Sequence, residues 1–144
     1  MIALIQRVSH ASVVIVDQPY REIGKGLLLF LGIQKTDTPL KSEKMLTKVL
    51  NFRVFSDLKG HMNLSLKDVN GSLMIVSQFT LAADTQKGSR PSFSSAASPE
   101  LAESLYGGFV EAAKAHVPVE TGQFGADMKV SLINEGPVTF RLEI

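Results

Sequence analysis

The sequence predicts an α/β fold: one strand-rich, β-barrel-like domain over residues 1–144, with about two helices packed outside. Three observations predict it. Short apolar or alternating runs, bounded by Gly, Pro, Asn and Asp, recur along the whole chain. Only two segments, 39–52 and 99–116, carry apolar residues at helical spacing. No repeat, linker or low-complexity tract divides the 144 residues, whose 44% apolar and 20% charged composition is that of an ordinary globular domain with a proper core. Many strands with few helices imply a closed or strongly curved sheet.

Residues 2–8 read as a strand and 11–16 as a second, rich in β-branched side chains. Asp17-Gln18-Pro19-Tyr20 is a turn, residues 21–23 return briefly, and 27–33 form a strand apolar on both faces. Arg7 is the exception, a permanent cation inside a strand pattern. It has two readings: a strand-end side chain in water, or a clamp on another loop, since an unpaired buried charge is very costly. Pro39 suits the first turn of a helix that runs to about Phe52, with Leu46, Val49, Leu50 and Arg53 on one face and Lys41, Lys44 and Lys48 on another. Residues 53–55 and 62–66 read as short strands. Asn70-Gly71, suited to a type I′ turn, then leads into the strand 73–81.

Residues 82–98 are the least regular part of the chain, and a loop that long is functional or mobile. Ser98 caps a second helix from Pro99 to near His116, with Glu100 and Glu103 in its early turns and Leu101, Leu105, Phe109 and Ala112 facing the core. Gly107-Gly108 implies close packing or a kink. Residues 120–128 form a Gly-bearing loop. Residues 129–134 and 138–144 are two final strands joined through Asn134-Glu135-Gly136-Pro137.

Composition excludes several functions. With no Cys there is no disulfide or thiol chemistry, and His10, His61 and His116 form no short-spaced ligand pair, so neither metal nor cofactor is expected. No Gly-x-Ser-x-Gly elbow, P-loop or Gly-x-Gly-x-x-Gly occurs. The longest apolar run, 26–33, is too short for a bilayer, and the N-terminus has no signal-peptide pattern, which leaves a cytoplasmic address by default. A net charge of +1 means that a polyanion would be met by a local patch.

The chemistry concentrates where the strand 73–81 turns polar, at Ser77-Gln78-Phe79-Thr80. Hydroxyls and an amide at a strand end can build a site on a rigid element or can simply satisfy neighbouring backbone. Lys87 and Arg90, beside Gly88 and Ser89, are what a phosphate contact needs and also what a solvated loop looks like.

Ser77-Gln78-Phe79-Thr80-Leu81 together with Asn134-Glu135-Gly136-Pro137-Val138-Thr139 resembles the D-aminoacyl-tRNA deacylase family. The resemblance extends to Gln6-Arg7-Val8, Met62-Asn63-Leu64-Ser65, residues 87–93 and residues 119–128, in order from end to end. It implies a homodimer that hydrolyses the ester between a D-amino acid and the 3′-terminal adenosine of tRNA, and that also removes glycine misattached to alanine tRNA. Catalysis would lie at Ser77, Gln78, Phe79 and Thr80. Substrate would be bound by Phe124, Met128 and a cis Gly136-Pro137 pair that reaches into the partner subunit's pocket, with Arg7 holding that loop. Lys87 and Arg90 would meet tRNA. A non-catalytic module that binds aminoacyl-tRNA or a nucleotide is the alternative.

Overall fold

The computed structural model describes residues 1–144. The elements follow in the order β1 (Ile2–Val14), β2 (Arg21–Ile23), β3 (Gly26–Gly32), α1 (Pro39–Asn51), β4 (Phe55–Ser56), β5 (Met62–Leu64), β6 (Ser72–Ser77), a 3-10 turn (Phe79–Ala82), α2 (Pro99–Lys114), β7 (Val119–Thr121) and β8 (Lys129–Glu143). The fold is the expected strand-rich, barrel-like α/β arrangement with two helices. The sheet runs β2-β1-β3-β6-β7, and β8 pairs with β1 as well. β3 lies parallel to β6 and β6 to β7; every pairing of β1 is antiparallel. No helix is long and apolar enough to cross a membrane.

β3 and β6 are apolar on both faces because both faces are covered. Leu27, Leu29, Leu31, Leu73 and Ile75 join α1 and α2 in a core of 23 buried residues. Leu28, Met74 and Val76 point the other way, into a second core of eight with Val8, Ala11 and Val13.

Two expected strand pairs are single strands. Ile2–Val14 is continuous, but its register against β8 shifts on both sides of Val8. Ala3 and Ile5 therefore face the larger core while Ala11 and Val13 face the smaller one. An irregularity of this kind exchanges the faces of a strand, and the apolar period that suggested two strands breaks at this point. β8 is likewise continuous. Thr139 pairs with Gln6 and Asn134 with Val8, so residues 135–138 stand opposite Arg7 alone and bow outward.

Several local expectations are corrected. Asn70-Gly71 makes no type I′ turn, because β6 enters a parallel pairing rather than a hairpin. Gly71 N–H donates to Leu66 O and Asn70 N–H to Lys67 O, with Asn70 at φ 49°, so the 66–70 turn closes with the bond pattern that ends a helix. The strand ends at Ser77 instead of Leu81, because the chain folds into the 3-10 turn there. Glu120 and Thr121, read as the start of a loop, form strand β7 with Val119 and border β6. Arg53 lies outside α1, which ends at Asn51, and the next strand starts at Phe55.

In α2 the buried face is Leu105, Tyr106, Phe109, Val110 and Ala113; Ala112 is exposed, one position out of phase. α2 continues through Gly107 and Gly108, and neither packs closely, since a Cβ at either would meet nothing within 4 Å. Ser98 caps α2 as expected, accepting from Leu101 N–H at 3.4 Å, and Thr38 caps α1 in the same way, accepting from Lys41 N–H at 3.4 Å. The backbone N–H of Glu100 and the Ser98 hydroxyl hold the Glu100 carboxyl below its usual range.

The Met1 ammonium is fully buried. It donates to Asp37 Oδ1 at 2.6 Å, Gln34 Oε1 at 3.0 Å and Ile144 O at 2.9 Å, closing the first strand, the α1 entrance and the end of β8 onto one ion pair.

Candidate active site

The end of β6 is shaped by a glycine on the neighbouring strand. Gln78 N–H donates to Leu31 O at 2.9 Å, and the chain then coils over the end of β3. A Cβ at Gly32 would lie 2.8 Å from Leu81 Cβ and 3.1 Å from Gln78 O, so a residue with no side chain is what lets the turn settle there. Beside this turn opens a cleft of about 650 Å³. Phe30, Val76, Ser77, Gln78 and Phe79 line one side of it, and Phe124, Ala126, Asp127, Met128 and Val130 line another; Phe93, Ala96 and Ala97 also line it. The size and the largely apolar lining, with a few polar groups, are those of a small-molecule site.

Ser77 and Gln78 are half-buried, whereas Phe79 and Thr80 are exposed. Thr80 adjoins the lining residues without being one of them. Gln78 Nε2 donates to Thr80 Oγ1, which orients the hydroxyl and leaves its proton free to donate. The opening N–H groups of a 3-10 turn have no carbonyl within the turn to meet, so Phe79 and Thr80 bring backbone donors to the cleft's edge. No histidine lines the cleft, and its one carboxylate is Asp127.

Phe79 is 61% exposed and lies against Phe93, with ring centroids 5.0 Å apart. Phe93 comes from the irregular 83–98 segment. That segment is pinned by paired Asp84 and Ser92 backbone bonds of 2.8 and 2.9 Å and by Ser95 Oγ donating to Ala82 O. Lys87 and Arg90 sit exposed beyond the Asp84–Ser92 pair, and neither forms an ion pair.

Phe124 and Met128 are brought in by the turn after β7. A Cβ at Gly122 would come 2.6 Å from Met128 Sδ, so the glycine makes room for the thioether. Arg21 Nη1 donates to Thr121 O at 2.7 Å and ties this turn to β2. Phe124 lies 5.9 Å from the Tyr106 ring, whose buried hydroxyl donates to Ile75 O at 2.9 Å. Burial pushes the Tyr106 phenol up from 10.0 to about 12, with Arg21 opposing weakly. The folded form therefore keeps a proton that the unfolded chain loses first, so this stabilisation is complete below pH 10 and is lost as pH rises toward 12. Chemical denaturation between pH 9 and 12 is expected to show about 2–3 kcal/mol of loss that Tyr106→Phe abolishes.

Arg7, Gly136 and Pro137 are not in this cleft. Leu31, the partner of Ser77, pairs with Ala3, and Arg7 lies four residues further along β1, about 13 Å at strand rise. Arg7 Nε donates to Glu135 O at 2.8 Å and its Nη1 to Val54 O at 2.6 Å, which satisfies the strand-embedded cation through backbone carbonyls. Gly136, at φ 143°, and Pro137 are joined by a cis peptide bond and are exposed. A Cβ at Gly136 would meet Val138 at 2.7 Å and Arg7 Nη2 at 3.1 Å.

The chain thus brings Ser77, Gln78, Phe79, Phe124 and Met128 together, with Thr80 adjacent, and holds Arg7, Gly136 and Pro137 at a second place. Sequence reasoning missed Phe30, Phe93, Ala96, Ala97 and Asp127 as lining residues. Phe93 and Asp127 stood within motifs that carried the resemblance; Phe30 and the two alanines carried no signal apart from apolar pattern.

The sequence profile of the D-Tyr-tRNA(Tyr) deacylase family matches residues 4–143. A D-aminoacyl-tRNA deacylase of Pasteurella multocida (strain Pm70) is 58% identical over 144 residues, and one of Shewanella baltica (strain OS185) is 60% identical over 145; both comparisons cover all of each chain. Among solved structures, one titled c-Myc DNA Unwinding Element Binding Protein superposes with a TM-score of 0.94 at 41% identity, covering 100% of this chain and 99% of that one. A probable eukaryotic D-amino acid tRNA deacylase shares the fold alone, with a TM-score of 0.88 at 16% identity over 99% of this chain and 98% of the other. A cleft built around Ser77-Gln78-Phe79-Thr80, in a chain matched from end to end, places this protein in the D-aminoacyl-tRNA deacylase family of hydrolases.

Proposed function

We propose that residues 1–144 form one deacylase domain that hydrolyses the ester of D-aminoacyl-tRNA, and of glycine misattached to alanine tRNA, with the reaction seated at Ser77, Gln78, Phe79 and Thr80. The observation that carries this reading is the placing of a hydroxyl, an amide and the first N–H groups of the 3-10 turn at the edge of a cleft with no histidine base. Such a site suits a reaction in which the substrate helps itself. The 2′-hydroxyl of the terminal adenosine assists an attacking water, and the N–H groups near Phe79 and Thr80 stabilise the oxyanion.

Chirality enters through the second place on the chain. Gly136 and Pro137 are exposed and lie away from their own cleft, so they serve the cleft of another copy in a homodimer, with Arg7 holding the loop. The exposed Ile133 and Phe140 on β8 supply apolar surface for that association. A rigid backbone wall binds the substrate's α-amino group and leaves no space where an L side chain would project. A thousandfold preference requires only about 4 kcal/mol, which one clash in a rigid pocket supplies. Glycine has no side chain to clash and passes the same gate. Phe124 and Met128 line the amino-acid space, and exposed Lys87 and Arg90 meet the tRNA backbone.

The relative titled for binding a DNA element favours one rival, a nucleic-acid-binding module without turnover. Deacylation of D-tyrosyl-tRNA with substrate in large excess, together with a light-scattering mass, tests both parts. Many turnovers per chain and a mass twice the 15.6 kDa of one chain are expected. Binding without release rejects the enzyme, and full activity from a monomer rejects the shared site.

A further inference from the structure

Beside the Gly136 loop lies a second concavity of about 310 Å³, lined by Arg7, Ser9, Lys25, Phe55, Ser56 and Glu135. It differs in kind from the cleft: Phe55 is its one apolar wall, and that side chain is itself buried. Two cations face it against one carboxylate. Lys25 is exposed, forms no ion pair and rests over the Phe55 ring at 5.9 Å, which supports its stem and leaves the ammonium free to donate. Arg7 spends Nε and Nη1 on backbone carbonyls and meets no carboxylate. The hydroxyls of Ser9 and Ser56 are exposed at the rim. A compact cationic hollow with two hydroxyls and an aromatic floor is suited to one anionic oxygen group carried on a larger polar body.

We propose that this concavity binds a backbone phosphodiester of the tRNA 3′ end, with Lys25 as its principal charge. The inference rests on the proposed dimer. If Gly136-Pro137 enters the partner's cleft, the hollow beside them, reached through Arg7 and Glu135, flanks the mouth of that cleft, and the phosphate preceding the bound terminal adenosine passes there. Each active site would then take its anion contact from the subunit that lends the chirality wall. The carboxylate of Glu135 shares the rim and favours a single diester charge over a doubly charged terminal phosphate.

The test is Lys25→Met, which removes the charge and keeps an apolar stem over Phe55, assayed on D-tyrosyl-tRNA and on D-tyrosyl-adenosine, which has no phosphate. KM for the tRNA substrate is expected to rise about five- to tenfold with kcat unchanged, the loss of one ionic contact. The salt dependence of tRNA binding should flatten by about 0.7 in log–log slope. D-Tyrosyl-adenosine should be hydrolysed as by the parent, and Lys25→Arg should restore the tRNA KM. Equal losses on both substrates, or no change on tRNA, overturn the proposal. Light scattering of the same variant separates the readings: a dimer with an unchanged tRNA KM rejects the phosphate site alone, whereas an active monomer rejects the shared site on which it rests.

Discussion

D-Tyrosyl-tRNA ending in 2′-deoxyadenosine is expected to be hydrolysed about a hundredfold or more slowly than the normal substrate, the range that positioned proton transfer contributes. The cleft explains why the substrate must supply this group. Thr80 offers an exposed hydroxyl beside the cleft, yet its oxygen already accepts the Gln78 amide, and no histidine lines the cleft to take its proton. A threonine without a base is a weak nucleophile at neutral pH. Single-turnover rates on the deoxy substrate and with Thr80→Ala separate the two routes. Thr80→Ala should retain most of the chemistry. A loss of about a thousandfold with that variant, or a normal rate on the deoxy tRNA, transfers the reaction to Thr80.

Asp37→Ala is expected to cost about 3–5 kcal/mol of stability, as removal of one partner leaves a buried charge uncompensated. Asp37 is fully buried, and its carboxylate accepts from the Met1 ammonium at 2.6 Å and from Gln34 N–H at 2.8 Å, with Lys41 Nζ at 3.5 Å. The loss is large against the roughly 5–15 kcal/mol that holds a domain folded. Urea unfolding at neutral pH measures it: a midpoint within error of the parent would show that the ammonium finds water or another acceptor.

Strong periodicity made the framework legible. The helices beginning at Pro39 and Pro99, the Ser98 cap and the doubly apolar strand at 27–33 follow from propensity and patterning that tertiary contacts reinforce. What escaped was set by tertiary contacts. The face exchange near Val8 looks like a strand break because one irregularity inverts the alternation that identifies a strand. β7 is three residues long and exists because β6 offers it an edge. Asn70-Gly71 has turn chemistry either way, and only the parallel partner of β6 decides between a hairpin and the turn seen at 66–70.

The site divides in the same manner. Ser77-Gln78-Phe79-Thr80 announced itself as polarity at the end of an apolar run, and Arg7 as a cation in a strand. That Arg7 would hold the loop at 134–137 followed from the family resemblance alone, because Glu135 O lies 128 positions away; that it would also take Val54 O could not be seen. Nor could Phe93, which reaches Phe79 through an irregular segment whose path depends on the Asp84–Ser92 bonds.

The most direct test of the account is deacylation of matched D-tyrosyl-, L-tyrosyl- and glycyl-tRNA at catalytic protein concentration. A steric wall predicts rapid release from the D and glycyl esters with the L ester untouched. Comparable release of D- and L-tyrosine, or inertness of all three, would contradict it.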